Sequence, residues 1–275
     1  MPKFLEIGKD FAEQLKKDNI AVFAAGVAFF FFLSLAPITM IVCSALSFFP
    51  DIRDSLLLTV IDITPDSFVP LAITLISQIY ERTGKILPIA ILVTIWTSGK
   101  GMLGLMRALN EVNEVEENRS YIVLRIMASF YMLVTVGGIL VTLGLSILGQ
   151  SAIDGLTGMF PGLSTLLYWV SGFRFLIIWA LLAVAFCLIF TYIPNKELKL
   201  RYQIPGAVFT AISWSVFSYL FFLYISHTRA LSLYGSLSTI FLLMLWMYFC
   251  IYIMLVGANL NKYFKPVIQV FMKKK

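Results

Sequence analysis

The chain has 275 residues, of which 60% are hydrophobic and only 13% charged, with a net charge of +6. A soluble domain carries about 25% charged residues, so composition speaks against a water-soluble enzyme or nucleic-acid-binding domain, and a mean hydropathy of +0.90 points to the bilayer. Apolar runs of about 20 residues recur along almost the whole length without period-two alternation, which predicts an all-α polytopic membrane helix bundle and not a β-barrel.

Residues 1–19 are heavily charged and amphipathic: Phe4, Ile7, Phe11 and Leu15 share one helical face, while Lys3, Glu6, Lys9, Asp10, Glu13 and Lys17 fill the other. This reads as a helix lying on the membrane surface, and the long apolar run behind it does not fit a cleaved signal. The first span is expected over Ile20 to Phe49 and contains Ser34-Leu35-Ala36-Pro37. Proline removes a backbone hydrogen bond and kinks a helix; a packing kink and a transport hinge both fit. The connector Pro50 to Lys85 holds two short amphipathic stretches, Ser55 to Ile63 and Phe68 to Ile79, expected as surface-lying or re-entrant extracytoplasmic helices.

Five more spans follow, over Ile86 to Arg107, Ile122 to Gly149, Phe173 to Ile193, Gln203 to Ile225 and Ser236 to Leu260. The expected whole is one integral membrane domain over 1–275, with an interfacial helix (1–19), six spans (20–262) and a basic tail (263–275). Fifteen Lys and Arg residues fall on the side of the two termini and five on the other. That bias predicts a multi-pass protein of the bacterial cytoplasmic membrane with both termini in the cytoplasm. The Asn118-Arg119-Ser120 sequon then lies inside, where it carries no functional information.

Lys100, flanked by Gly99 and Gly101, interrupts the second span. Counted from Ile86 it lies about 21 Å along the helix, about 9 Å from the inner edge of a 30 Å hydrocarbon core. It can snorkel to that edge or line a hydrated vestibule. The second reading is favoured by Gly104, Arg107 and Glu111 on the same helical stripe, with Gly101 and Asn110 beside it. Arg174 opens the fourth span as a phosphate contact or an interfacial anchor, and His227 reads as interfacial. No acidic residue lies inside any span, so coupling through a membrane carboxylate is poorly supported and a positively lined path would favour anions. Cys43, Cys187 and Cys250 are isolated in apolar runs, read as small buried hydrophobes with no metal-ligand spacing. Nucleophile elbows, zinc-protease motifs and phosphate-binding loops are missing from the chain, so no cofactor, metal or catalytic residue is expected.

Four motifs in order, AFFFFLSLAP from Ala28 to Pro37, WTSGKG from Trp96 to Gly101 with Ala108-Leu109-Asn110, YGSL from Tyr234 to Leu237 and GANLN from Gly257 to Asn261, resemble the YihY/BrkB family of bacterial inner-membrane proteins. The chain departs from that pattern in having only Phe29 to Phe32 where a tyrosine is common, and Asn259 where an acidic residue often stands. The resemblance implies a transport-like role. Members once labelled ribonuclease BN are regarded as misassigned, and others are linked to serum resistance and to lipid movement across the inner membrane.

The resulting expectation is a permease or flippase-like protein for an anionic amphiphile such as a phospholipid. Lys100 and Arg107 would attract the headgroup, Arg174 would contact it outside, Ser34 and Pro37 would form a kinked gate, and Asn110 and Asn259 would offer neutral hydrogen bonds. The expected partners are membrane lipids, preferentially anionic, and not nucleic acid; a homo-oligomer or envelope-assembly partners stay open. The alternative is a non-transporting scaffold for envelope assembly, and an RNA-processing nuclease is disfavoured.

Overall fold

The computed structural model describes residues 2–46, 96, 99–134, 174–227 and 236–265, with 58, 61, 68–70 and 73–74. Every regular element among these residues is helical. The helices are α1 (Pro2–Lys17), α2 (Ile20–Leu46), α3 (residues 99–112), α4 (Tyr121–Val134), α5 (Arg174–Tyr192), α6 (Leu200–His227) and α7 (Ser236–Tyr263).

The amphipathic pattern of residues 1–19 produces α1 as expected. Phe11 meets Tyr263 edge-on at 5.5 Å, Leu15 packs on the core, and Glu6, Lys9, Asp10, Glu13 and Lys17 are exposed. Lys16 and Lys17 close its last turn, where cations suit the helix dipole. The chain then breaks at Asp18-Asn19. Asn19 takes a left-handed φ of 50°, which asparagine tolerates better than most residues, and α2 leaves at 50° to α1.

Two helices are long and apolar enough to cross a bilayer, α6 and α7, and the bent α1–α2 pair gives a third if taken as one span. At 28 residues each, α6 and α7 would run about 42 Å. The fourth to sixth expected spans coincide with α5, α6 and α7 to within a few residues. The second and third are described only in part, because residues 86–95 and 135–149 lie outside the described set, as do most of the two connector helices and the 266–275 tail. Six crossings therefore stay a sequence expectation. One boundary is corrected: α3 does not stop at Arg107 but runs to residue 112, since Ala108, Leu109 and Val112 are completely buried and hold the extra turn on the core. It ends at Glu114, left-handed at φ 51°.

The core lies where α2, α3, α5, α6 and α7 converge, around Val27, Met106, Leu109, Phe190, Ala207 and Leu255. Helices α6 and α7 approach each other closely. A Cβ at Gly206 would overlap the Gly257 carbonyl oxygen and the Asn261 carboxamide, and one at Gly257 would overlap the Thr210 hydroxyl. Pro205 has no N–H to give its helix, and the next N–H, on Gly206, donates instead to Asn261 Oδ1 at 2.6 Å. The outer face of α6 carries Ile204, Val208, Ile212, Val216 and Leu220, all well exposed. An apolar stripe of that length is what a lipid-facing helix presents.

Candidate functional site

The polar edge of α3 forms as its spacing predicts. Lys100, Arg107 and Glu111 are exposed along one side with Gly104 half-buried between them, while Met102, Met106, Leu109 and Asn110 turn inward. The two glycines beside the lysine have separate packing reasons. A Cβ at Gly101 would come within 2.5 Å of the Phe31 ring, and one at Gly99 within 3.3 Å of the Arg125 guanidinium carbon. Glycine at 101 therefore seats α2 against α3, and glycine at 99 lets an arginine from α4 lie against the start of α3.

That arginine is the residue sequence reasoning missed. Arg125 Nη2 donates to the Trp96 carbonyl at 2.6 Å, and its guanidinium lies 4.8 Å from the Trp96 ring centre. Lys100 Nζ lies 5.8 Å from the same ring and 5.5 Å from the Phe30 ring. Cation–aromatic contacts contribute about 0.5–2 kcal/mol each. Among the described residues neither cation has a carboxylate partner, and Arg125 Nη1 is buried with no hydrogen bond. Two cations thus converge on one indole that is itself 61% exposed. The 29-residue separation of Arg125 from Trp96 leaves no local signature in the sequence.

Asn110 and Asn259, expected as hydrogen-bonding groups for a ligand, both bond other residues of the chain, with Asn259 Oδ1 left without a partner. Asn110 donates from Nδ2 to Glu117 Oε2 at 2.7 Å and accepts at Oδ1 from the Asn195 backbone N–H at 2.8 Å. It joins the 113–120 connector to the one between α5 and α6. Glu117 is gripped by Arg119 through Nε at 2.7 Å and Nη2 at 2.6 Å, which holds its carboxyl below the usual value near 4.5 and raises the arginine in turn. Because the folded pKa is lowered, the grip contributes fully above the unfolded pKa and is lost as pH falls through the folded one. Thermal unfolding should therefore show a midpoint that declines as pH drops below about 4.5, and Glu117→Gln should flatten part of that decline. A variant that tracks the parent through the whole acid range would remove Glu117 as a contributor.

Asn259 is fully buried and donates to Asp18 Oδ2 at 2.5 Å. The same carboxylate accepts from Gln14 at 2.8 Å and lies 3.6 Å from Lys262 Nζ, which pairs with Glu114 at 3.1 Å. An amide at 259 has a physical reason here, since an acid in its place would set a second carboxylate against Asp18. Ser34 is buried and donates to the Phe31 carbonyl of its own helix at 2.7 Å. Pro37 lies within α2, and a 50° bend separates α1 from α2 at residues 18–19. Arg174 begins α5. Cys187 and Cys250 are buried free thiols. The structure therefore joins Lys100 to Trp96 and Arg125, places Arg107 on the same edge, and assigns Asn110 and Asn259 to a separate polar end about 15 Å along α3 from Lys100. A cleft of about 430 Å³ opens at that end beside Thr191 to Leu198 and is lined by none of the expected pathway residues.

The profile of the family described as Virulence factor BrkB matches residues 11–269. The Bacillus subtilis protein YfkH, whose name calls it ribonuclease-like, is 33% identical over 249 residues, covering 86% of this chain and 87% of that one. A UPF0761 membrane protein of Alteromonas mediterranea is 26% identical over 272 residues, covering 94% of this chain and 87% of its own. Another from Aliivibrio salmonicida is 26% identical over 260 residues, covering 90% and 80%. No solved structure matches the chain. With a profile match across nearly its full length and apolar helices of membrane-crossing length, this chain is a membrane protein of the Virulence factor BrkB family.

Proposed function

We propose that the protein is a permease or flippase-like carrier of an anionic amphiphile, a phospholipid or a related envelope lipid, in the bacterial cytoplasmic membrane. The observation that carries this reading is the pair of cations at Trp96, Lys100 and Arg125, with no carboxylate to neutralise them among the described residues. A cation on an apolar helix is costly unless water or an anion meets it. A headgroup phosphate supplies that charge and accepts several strong hydrogen bonds at once. Trp96 belongs to the residue type that sits at the headgroup level of bilayers, and Arg107 extends the positive edge toward the polar end of α3. With no nucleotide-binding motif in the chain, movement would be passive, driven by the membrane potential or coupled to an ion.

The excess of basic residues on the side of the termini supports a multi-pass arrangement with both ends in the cytoplasm. The ribonuclease-like name of YfkH is not carried over, because the described residues offer no cluster of three metal-ligating side chains and the chain has a single histidine.

In proteoliposomes, Lys100→Ala should slow transbilayer movement of a labelled anionic phospholipid by about tenfold, the effect of losing one charged hydrogen bond. Lys100→Arg should keep most of the rate. Lys100 is exposed, so the variant should fold normally. Equal rates for parent and Lys100→Ala, in a preparation whose parent is demonstrably active, would sink this reading.

A further inference from the structure

The two cations at Trp96 differ in freedom. Arg125 is fixed: Nη2 donates to the Trp96 carbonyl at 2.6 Å, and the guanidinium stacks 4.8 Å from the indole centre. It also lies against the buried Gly99, where a Cβ would come within 3.3 Å of its central carbon. Its Nη1 makes no hydrogen bond, so the donor capacity of the fork is not used up by the protein. Lys100 is exposed, and its ammonium, 5.8 Å from the same ring, pivots on a four-carbon stem. A rigid fork beside a mobile ammonium suits one tetrahedral anion, which the fork orients and the lysine closes upon.

The charge around this pair is one-sided. Helix α2 brings Phe30 and Phe31 to it and has no charged residue along its whole length. On α4 the single charged residue is Arg125 itself. On α3 the next charges are Arg107 and Glu111, both exposed, about 10 and 16 Å further along the axis. At that distance salt screens an exposed carboxylate almost completely. Two positive charges therefore stand uncompensated among the described residues. A phosphodiester headgroup brings one negative charge. A phosphate monoester brings close to two above its second pKa of about 6.

We propose that Lys100 and Arg125 form a site selective for a phosphate monoester, with phosphatidate as the lipid of that class. This rests on the carrier function proposed above and narrows its substrate from anionic lipids in general to those with a terminal phosphate. A monoester has three terminal oxygens, enough for the guanidinium and the ammonium to take different ones, and its charge matches theirs two to two. A phosphodiester has two free oxygens and one charge, so one cation stays unbalanced.

The test uses the full chain in phosphatidylcholine nanodiscs doped with phosphatidate or with phosphatidylglycerol of the same acyl chains. Lipid retained after detergent extraction is read by mass spectrometry at about pH 5 and about pH 7.5, either side of the second phosphate pKa. Phosphatidate should be retained about tenfold over phosphatidylglycerol at the higher pH, the effect of one further charged hydrogen bond. At the lower pH both lipids carry about one charge, and the preference should vanish. Both lipids meet the same protein groups, so the difference between them isolates the ligand's own proton. Lys100→Gln and Arg125→Gln should each remove the preference, and Lys100→Gln, at an exposed position, decides the matter if Arg125→Gln does not fold. Glycerol 3-phosphate has the same headgroup without chains. Displacement of phosphatidate by an equal concentration of it assigns the site to a soluble monoester, and lack of displacement assigns it to the lipid. Equal retention of the two lipids at the higher pH would overturn the proposal and leave the carrier function intact for a singly charged headgroup. A preference that survives both substitutions would overturn it by placing the monoester elsewhere. Retention of neither lipid above phosphatidylcholine would overturn the carrier function as well.

Discussion

Gly257→Ala should cost this protein about 3 kcal/mol or more of stability, at or beyond the upper end of ordinary overpacking. The added methyl would meet the Thr210 hydroxyl first and would also lie 2.9 Å from the Gly206 carbonyl and 3.2 Å from the Thr210 Cβ. Backbone stands in the way, so a rotamer change cannot relieve the clash and α6 must move away from α7. That movement would also stretch the Gly206 N–H to Asn261 bond and the two bonds from Asn261 Nδ2 to Gln203, each contributing about 1 kcal/mol. Gly206→Ala should behave alike, since its Cβ would collide with Gly257 and Asn261 from the other side. Gly26 offers the control, because a Cβ there meets nothing within 4 Å, and Gly26→Ala should shift stability by no more than about 1 kcal/mol. Thermal unfolding in one detergent, read by helical circular dichroism, decides the matter. If Gly257→Ala and Gly26→Ala unfold together, the close crossing of α6 and α7 does not hold the bundle.

The elements of this fold were legible because their cause is local. An apolar run long enough to cross a bilayer has to satisfy its own backbone, which only a helix does within one segment. Gln203 to Ile225 and Ser236 to Leu260 thus became α6 and α7 with little change in their limits. The amphipathic first residues became α1 for an equally local reason. The polar edge of α3 was also readable, since Lys100, Arg107 and Glu111 are related by the helical repeat alone.

The partners of these groups were not legible, because they come from distant parts of the chain. Asn259 and Asp18 are 241 residues apart, Asn110 and Asn195 are 85 apart, and no periodicity links them. Asparagines inside apolar runs drew attention as offers to a ligand, and the structure shows Asn110 and the Asn259 amide nitrogen bonded to other parts of the chain. A usable signal did exist. The last two turns of α7 carry Asn259, Asn261 and Lys262, and Asp18 stands immediately before the apolar run of α2. Polar residues at the ends of several spans on one side imply a shared polar layer. Arg125 was harder to find, because its contact with Trp96 depends on the empty space left by Gly99.

The polar layer itself yields the other large effect. Asp18→Leu should destabilise the protein by about 3 kcal/mol, the lower range for removing one member of a buried charged pair. The lower range applies because Lys262 keeps Glu114 as a second partner and is itself 22% exposed. The larger part of the loss comes from Asn259, which is fully buried and has no other acceptor for its amide among the described bonds. Its Oδ1 is already without a partner, so the whole carboxamide would be stranded. Asp18→Asn keeps a carbonyl in place and should cost only about 1 kcal/mol, the value of a neutral hydrogen bond. Coupling separates the direct contact from a general disturbance. Asn259→Leu added to Asp18→Leu should cost at least about 1 kcal/mol less than the two single changes together. Because Asp18 stands at the α1–α2 break, its loss should also free α1, and limited proteolysis should cut within residues 2–17 well before the bundle unfolds. Lower stability with α1 still protected would mean that the carboxylate supports α7 and that Phe11 and Leu15 alone hold the amphipathic helix. Strict additivity of the two changes would mean that Asn259 and Asp18 do not depend on one another.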